Sequence, residues 1–441
     1  MEAYQNKMVE KNWKDEYEEK LCSPDEAVKL IISGDKVVFE SSVNEPEALV
    51  NALVARAEDL RGVEIIHMTT LGKGRYTFPD MAESFHHTGL YVSGPVRKAV
   101  QEGRADFVPC YYSEVPEMYR SGVLKADAVL ITVTPPDEEG YCSFGLTVDY
   151  IEAVIEVADV VLAQINPLMP RTGGEKIHIS RFTKIVEKEE PLLELQPPKV
   201  GEVETAIAAY VADLIPDGAT LQLGLGAIPD TVLRFLKDKK DLGIHSEMFS
   251  DGVVDLARAG VITNQKKGNH KGKFVATFLM GTKKLYDFVD GNPDVEMLPV
   301  DYVNDPYIIG QNDNLISINS ALQVDLTGQV NAETMGSKHY TGIGGQVDFV
   351  RGAKRSKGGK SIITLPSTAK KGSISRIVND LGAGSAVTTS RADVEYIITE
   401  YGVADLRGLS LRERAHALVA IAHPDFRDQL LREAREIGRY L

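Results

Sequence analysis

Thr220-Leu221-Gln222-Leu223-Gly224-Leu225-Gly226-Ala227-Ile228-Pro229-Asp230 reads as a buried strand, a glycine-rich turn and the start of a helix. Beyond that helix, Ile244-His245-Ser246-Glu247-Met248-Phe249-Ser250-Asp251-Gly252 supplies another apolar strand that ends on one acidic residue, Glu247. Strand, helix and strand again is the repeating unit of a parallel α/β sheet. The two stretches bring backbone N–H groups and a carboxylate to one sheet edge. An enzyme needs that arrangement if a glutamate is to attack an activated acyl group.

Working outward, the same phrase occurs twice. Asp25–Ile31 reads as a helix, Ser33-Gly34-Asp35 as a turn, and Lys36-Val37-Val38-Phe39-Glu40 as a strand. Glu204–Val211, Pro216-Asp217-Gly218 and Thr220–Leu223 repeat that order. Asn44–Leu49 then stands beside Ala227–Val232, and Ile65-Ile66-His67-Met68-Thr69 beside Gly243-Ile244-His245-Ser246-Glu247. Ala158–Ala163 is matched with Ala392–Ile397. The ordered series predicts an internal duplication: two tandem α/β domains with mainly parallel sheets, residues 1–190 and 204–441. The acidic, proline-bearing stretch before the second helix makes 191–203 the linker. Where the second half has Glu247 the first has Thr69, so one half carries the carboxylate and the other walls a shared cleft.

Composition bounds the partners. With 441 residues, two domains are expected. The apolar and charged fractions, 43% and 26%, are those of an ordinary globular chain. A net charge of −15 argues against nucleic acid or an anionic membrane as main partner. No apolar run approaches a membrane span, and the polar start Met1–Lys7 lacks the apolar core of a signal peptide. Cys22, Cys110 and Cys142 are too scattered for a disulfide framework or a zinc site, which points to a reducing, cytoplasmic setting. Nine histidines without ligand spacing predict no metal. A homodimer is the expectation from the frequency of such assemblies.

Two glycine-rich turns carry the remaining signal. Gly224-Leu225-Gly226-Ala227-Ile228-Pro229 has proline where a dinucleotide fingerprint has its third glycine, which argues against NAD. Glu247, however, stands roughly 20 residues on, where such a fold places its ribose-binding acid. A tight turn without a ligand is the plainer reading. Gly342, Gly344, Gly345 and Gln346 form the second turn, followed by Arg351, Lys354, Arg355, Lys357, Lys370, Lys371 and Arg376. These basic residues suit phosphates, although such a run is commonly only a solvated face. Glu247 by itself reads equally as a surface residue at a strand end. His67 and His245 occupy matching repeat positions, which favours structural or supporting roles. No Gly-x-Ser-x-Gly elbow and no P-loop is present.

Several long motifs agree, in order, with one family. They are GLGAIPD (224–230), IHSEMFSDGVVDL (244–256), FLMGTKKLYDF (278–288), GIGGQVDFVRGA (342–353) and VTTSRADVEYIITEYGVADLRG (387–408), with IHMTTLGKG (66–74), FVPCYYSEVP (107–116) and VTPPDEEGYCSFG (133–145) in the first half. The chain resembles, over nearly its whole length, the acetyl-CoA hydrolase/transferase group of class I coenzyme A transferases, nearest to its 4-hydroxybutyrate-transferring members. The resemblance implies a sugar-phosphate-isomerase-like CoA-transferase fold with the active site between the domains. It implies coenzyme A as a substrate and short-chain carboxylates as partners, with neither metal nor NAD. It further implies ping-pong exchange through a glutamyl-CoA thioester on Glu247. Asn304 is carried over as an oxyanion donor. Gly224, Leu225, Gly226, Ala227 and Ile228 become one CoA-contacting loop, Gly342, Gly344, Gly345 and Gln346 a second, and Lys370 a contact to the nucleotide. Thr69, Gly72, Lys73, Tyr76 and Glu114 are expected to face the acid by their proximity to matched motifs. The favoured exchange is 4-hydroxybutyrate with acetyl-CoA. Acetyl-CoA hydrolysis, butyryl-CoA:acetate exchange and a non-catalytic CoA-responsive binding protein are the alternatives.

Overall fold

The structure of the chain, a computed structural model, describes residues 12–436. The polar stretch Met1–Lys7 lies outside them. Parallel strands covered on both faces need uninterrupted apolar residues, and Ala128–Val133 (AVLITV) is buried at every position. It sits third in a seven-stranded sheet ordered Lys184–Glu187, Val160–Ile165, Ala128–Val133, Lys36–Phe39, Val63–His67, Phe85–Gly89, Ala105–Phe107. All of its pairings are parallel.

The second half repeats this order. Tyr396–Thr399, Lys360–Thr364, Leu315–Ser320, Thr220–Leu223 and Gly243–Ile244 lie side by side and parallel. A bridge from His245 to Val275 carries the array on to Phe274–Ala276 and Val295–Met297. Position by position, Thr220–Leu223 takes the place of Lys36–Phe39, and Gly243–Ile244 that of Val63–His67. The second half adds one antiparallel edge strand, Gly402–Asp405. The chain is therefore an internally duplicated α/β protein with mainly parallel sheets.

One match in the repeat is a strand out of step. Val160–Ile165 occupies the position of Lys360–Thr364, and Tyr396–Thr399 that of Lys184–Glu187. The shared Ala-Asp-Val that suggested otherwise marks entry into a strand, and any parallel strand can have such an entry. The helix expected at Asp25–Ile31 is also shorter: Pro24–Ala27 is α-helical and Val28–Leu30 a 3₁₀ turn. Arg56 donates to the carbonyls of Val28 and Ile31 and so ends it.

Between the sheets, residues 188–201 run without regular structure, and the next helix, Glu202–Asp213, starts where the Glu204 carboxylate accepts the Gly201 N–H at 2.9 Å. The start of this strap, Lys188 and Glu190, bonds to Ile165, Gln164 and Asn166 of the first half, and its later part is fixed to the second half. Leu195 N–H donates to the Gly281 carbonyl at 2.9 Å and the Tyr286 hydroxyl to that of Leu193 at 2.7 Å. A reciprocal contact ties the halves together, for Gly173–Gly174 of the first half pairs in parallel with Val295–Met297 of the second. A Cβ at Gly174 would stand 2.0 Å from the Met297 carbonyl oxygen, so backbone meets backbone with no room for a side chain. Apolar residues of both halves, Tyr112 and Phe144 with Phe249 and Phe278, share one core cluster.

Candidate active site

Glu247 leaves its strand between two clamps. The Ser246 hydroxyl accepts the Leu223 N–H at 3.1 Å and donates to the Met248 carbonyl at 2.5 Å. The Glu247 carbonyl accepts N–H groups from Thr277 and Phe278 at 3.0 and 3.1 Å. These bonds fix its backbone at the carboxyl ends of two adjoining strands, where α/β sheets present ligands. Its side chain is partly accessible, through a cavity of about 360 Å³. Thr69, Tyr91 and Tyr112 of the first half line that cavity with Glu247, Gly345 and Gln346 of the second.

Asn304, fully buried at the end of the helix Val300–Val303, donates from Nδ2 to Glu247 Oε2 at 2.8 Å. The preceding carbonyl, Val303, accepts from His245 Nε2 at 2.8 Å. That bond places the imidazole proton on Nε2. Burial holds His245 at a pKa of about 3, so the ring is neutral. It supports the peptide that carries Asn304, the supporting role anticipated from the repeat.

The second glycine turn closes over the carboxylate. Gly342, Gly344, Gly345 and Gln346 all line the cavity, and the Gly345 backbone stands against the Glu247 carboxylate. The first half holds this turn: Tyr112 N–H donates to the Gly344 carbonyl at 3.3 Å, and the Arg97 guanidinium donates to the Tyr340 carbonyl at 2.6 Å. Gly224 and Leu225 line the same cavity and, with Gly226, a larger one of about 1130 Å³ that adjoins it. Gly226, at φ 130°, opens the helix Ala227–Arg234 in a conformation that glycine adopts without strain. Ala227 and Ile228 begin that helix and line neither cavity; Ile228 is packed in the core.

Burial raises the Glu247 carboxyl to a pKa of about 7; the Asn304 hydrogen bond opposes the rise and the Asp348 charge adds to it. Burial likewise raises Asp348 and Asp149 to about 7. Asp149 accepts from the Tyr112 hydroxyl at 3.1 Å, directly behind the cavity wall. Of these three carboxyl groups Glu247 alone lines the cavity; Asp348 and Asp149 are buried behind its wall. An acid raised by burial at a cleft, as Glu247 is, is a candidate for chemistry.

Other expected positions fall elsewhere. Of the first-half set only Thr69 lines the cavity. Gly72 abuts the half-buried Glu45, Lys73 and Glu114 are exposed, and Tyr76 is a core residue bonded to His67 Nε2 at 2.5 Å. Lys370 sits exposed, at φ 48°, in the turn joining Thr368–Ala369 to Ile374–Ser375. Of the residues lining the smaller cavity, Arg376 alone is basic, and its Nε is buried without a partner. Tyr91, Tyr112, Asp348 and Asp149 are not among the site residues expected from sequence. Tyr112 and Asp348 lie inside quoted motifs, so the motifs' length was the available signal. Among the described residues no group of three or more His, Cys, Asp or Glu side chains is gathered to hold a metal, and no helix is long and apolar enough to cross a membrane.

Comparison with known proteins places this geometry. Residues 5–195 match the acetyl-CoA hydrolase/transferase N-terminal domain and residues 281–434 its C-terminal domain. The stretch between them holds the Gly224–Ile228 turn and Glu247, and whole-chain relatives span it. A 4-hydroxybutyrate coenzyme A transferase of Clostridium kluyveri is 56% identical over 96% of this chain and 99% of its own. A 4-hydroxybutyrate CoA-transferase structure from Porphyromonas gingivalis superposes with a TM-score of 0.84 at 45% identity, covering 97% of this chain and all of that one (100%). RipA from Yersinia pestis superposes with a TM-score of 0.92 at 40% identity, covering 97% and 99%. Fold, cleft and relatives together define a CoA-transferase. The chain belongs to the acetyl-CoA hydrolase/transferase family.

Proposed function

We propose that the enzyme moves coenzyme A between a short-chain acyl-CoA and a free carboxylate, with acetyl-CoA and 4-hydroxybutyrate as the favoured pair, through Glu247. One observation carries this reading: the Glu247 carboxylate is held by the Asn304 amide against the Gly345 backbone, inside an interdomain cavity. The carboxylate attacks the thioester carbonyl and the C–S bond breaks, giving an acyl-glutamyl anhydride and CoA thiolate. The thiolate then attacks the glutamyl carbonyl and expels the first acid as its carboxylate, leaving a glutamyl-CoA thioester. The acceptor carboxylate attacks that thioester and displaces thiolate, which takes the acceptor's acyl group and restores Glu247. No proton is consumed. Thioester and anhydride are both activated, so a hard exchange becomes a series of near-balanced steps.

Each tetrahedral intermediate places negative charge on the attacked oxygen. The Asn304 amide and Gly345 N–H are the donors nearest Glu247 and take the oxyanion role. The Gly224–Leu225 turn and the Gly342–Gln346 turn are assigned to the CoA arm, and Thr69 to the acid side. The 4-hydroxybutyrate names of two relatives support the choice of acid.

The test is peptide mass spectrometry after incubation with acetyl-CoA and borohydride trapping. Reduction of the Glu247 side chain is expected; an unmodified Glu247 in enzyme that still exchanges would overturn the reading. Formation of 4-hydroxybutyryl-CoA and acetate from acetyl-CoA only in the presence of 4-hydroxybutyrate supports transfer. Release of free CoA from acetyl-CoA without an acceptor would make the enzyme a hydrolase.

A further inference from the structure

Thr69 is the repeat counterpart of Glu247, and both line the smaller cavity. The strand Val63–His67 leads into the one as Gly243–Ile244 leads into the other. The turns beside them also correspond. Ser42 stands third after the strand Lys36–Phe39, as Gly226 does after Thr220–Leu223, and both have positive φ, 61° and 130°. Glycine adopts such a backbone freely, whereas serine does so rarely and at a cost. A serine kept in that conformation points to a task for its side chain. That side chain reaches Thr69: the two hydroxyl oxygens are 2.8 Å apart, and the Ser42 N–H donates to the Thr69 carbonyl at 3.0 Å.

One hydroxyl proton joins the two oxygens, and the other is left over. Ser42 is 2% exposed, and its hydroxyl has no second partner among the described residues. Were Thr69 the donor, the Ser42 proton would be shut in the core without an acceptor, which is the costlier arrangement. Ser42 therefore donates. The half-buried Thr69 keeps a free proton and a spare lone pair at the cavity wall. Several other polar groups on that wall are committed to the protein. The Tyr112 hydroxyl donates to Asp149, Gln222 and Asn319 bond to each other, and the Thr341 hydroxyl donates to the Ala332 carbonyl. Met68, Met248, Phe278 and Met280 give the same cavity an apolar wall.

We propose that Thr69, its proton set by Ser42, reads the terminal hydroxyl of 4-hydroxybutyrate and so selects that acid over butyrate. The substrate hydroxyl both donates and accepts, as Thr69 does, whereas the methyl end of butyrate leaves the Thr69 proton unpaired. The hydroxyl oxygen is four bonds from the carboxyl carbon, roughly 5 Å when extended. A cavity of about 360 Å³ holds that span with the carboxyl at Glu247, and its apolar wall suits the methylenes between. Apolar contacts alone discriminate such acids weakly, so a dedicated polar group is what selection requires.

This inference rests on Glu247 as nucleophile and 4-hydroxybutyrate as acceptor, and the experiment separates them. Exchange from acetyl-CoA is measured with each acid, and the readout is the ratio of kcat/KM for 4-hydroxybutyrate to that for butyrate. A change in folded fraction moves both values together and leaves the ratio alone. The parent enzyme is expected to favour 4-hydroxybutyrate. Thr69→Val, which keeps the shape without the hydroxyl, is expected to lower the ratio by about tenfold or more. Thr69→Ser, which keeps the hydroxyl, is expected to stay within about threefold of the parent's ratio; a loss equal to that of T69V contradicts the role of the hydroxyl. A T69V ratio within about threefold of the parent's overturns the inference alone. A parent enzyme without the preference removes 4-hydroxybutyrate from the reading, and the inference with it. If T69V does not fold, Ser42→Gly decides, because it relieves the backbone while removing the partner hydroxyl. A ratio lowered by about threefold or more supports the pair, and an unchanged one overturns it. Glu247→Ala is the reference. If it retains exchange, the nucleophile assignment falls; if it is inactive while T69V keeps the parent's ratio, only the present inference falls.

Discussion

A Cβ atom built on Gly345 would stand 1.9 Å from Oε2 of Glu247 and 2.2 Å from Nδ2 of Asn304. Backbone and carboxylate are in direct contact, and the glycine is needed for its size. Its φ of −94° suits any residue, so conformation places no demand there. Gly345→Ala is therefore expected to fold and to lose about 10²-fold or more in kcat, because the carboxylate must move. Melting temperature and kcat measured on one preparation check this; a variant of near-normal activity contradicts the contact.

Glu247→Ala removes the group through which every step passes. Loss of several orders of magnitude in exchange is expected, as for other covalent nucleophiles. Asn304→Ala, which leaves the nucleophile but removes a donor, is expected to cost about 10²–10³-fold in kcat. Steady-state exchange assays separate the two, and equal losses would contradict the assignment of roles.

Activity and stability are expected to run in opposite directions with pH. Glu247, Asp348 and Asp149 are each raised by burial from ordinary carboxylate values to about 7. A raised folded-state pKa means that the folded protein binds protons more tightly than the unfolded chain. The associated stability is fully present below the unfolded pKa near 4 and is lost as pH rises through about 7. The nucleophile, however, must be ionised, so kcat/KM is expected to rise across the same interval and level off above it. Thermal melts and initial rates from pH 5 to 8 check both limbs. Glu247→Gln is expected to be inactive yet to melt higher than the parent at pH 8.

His245 supports the site from behind. Replacing it with phenylalanine fills much of the space and leaves the buried Val303 carbonyl without its donor, at a cost of about 1–3 kcal/mol in stability. Chemical denaturation measures that loss. A drop in kcat with little change in KM is expected alongside, since the peptide bearing Asn304 loosens.

Arg376 and Lys370 divide by position. Arg376 lines the Glu247 cavity with an unpartnered Nε, whereas Lys370 is in an exposed turn and lines neither cavity. Arg376→Ala is expected to raise KM for acetyl-CoA by roughly tenfold or more, the worth of one charge-assisted hydrogen bond. Lys370→Ala is expected to change it less than about twofold. The reverse order would return the nucleotide contact to Lys370.

The parts of the site that were legible in the sequence are those encoded locally. Glu247 ends an apolar strand after a glycine turn, and strand, turn and acid all lie within about thirty residues. The repeat was legible for the same reason, up to the last strand, where three common residues at a strand entry were too little to fix the place in the sheet. Proximity in sequence misled at Tyr76. Only seven positions after Thr69, it follows a turn through Gly74 at φ 58° and enters the core beside His67. Asp348 failed for the opposite reason. Its meaning lies in Ser113, 235 residues earlier, and no local pattern encodes a partner across a domain interface.

The pairing of Gly173–Gly174 with Val295–Met297 has a consequence for any attempt to divide the chain. Cleavage in the strap at 188–201 would leave each product incomplete. The second half alone would expose Val295–Met297 as an open strand edge with free N–H and C=O groups, the template from which chains stack into aggregates. The first half would carry a dangling glycine pair with no sheet to join. The enzyme is therefore built as two copies of one design that depend on each other for closure, and fragments of it should be prepared together or not at all.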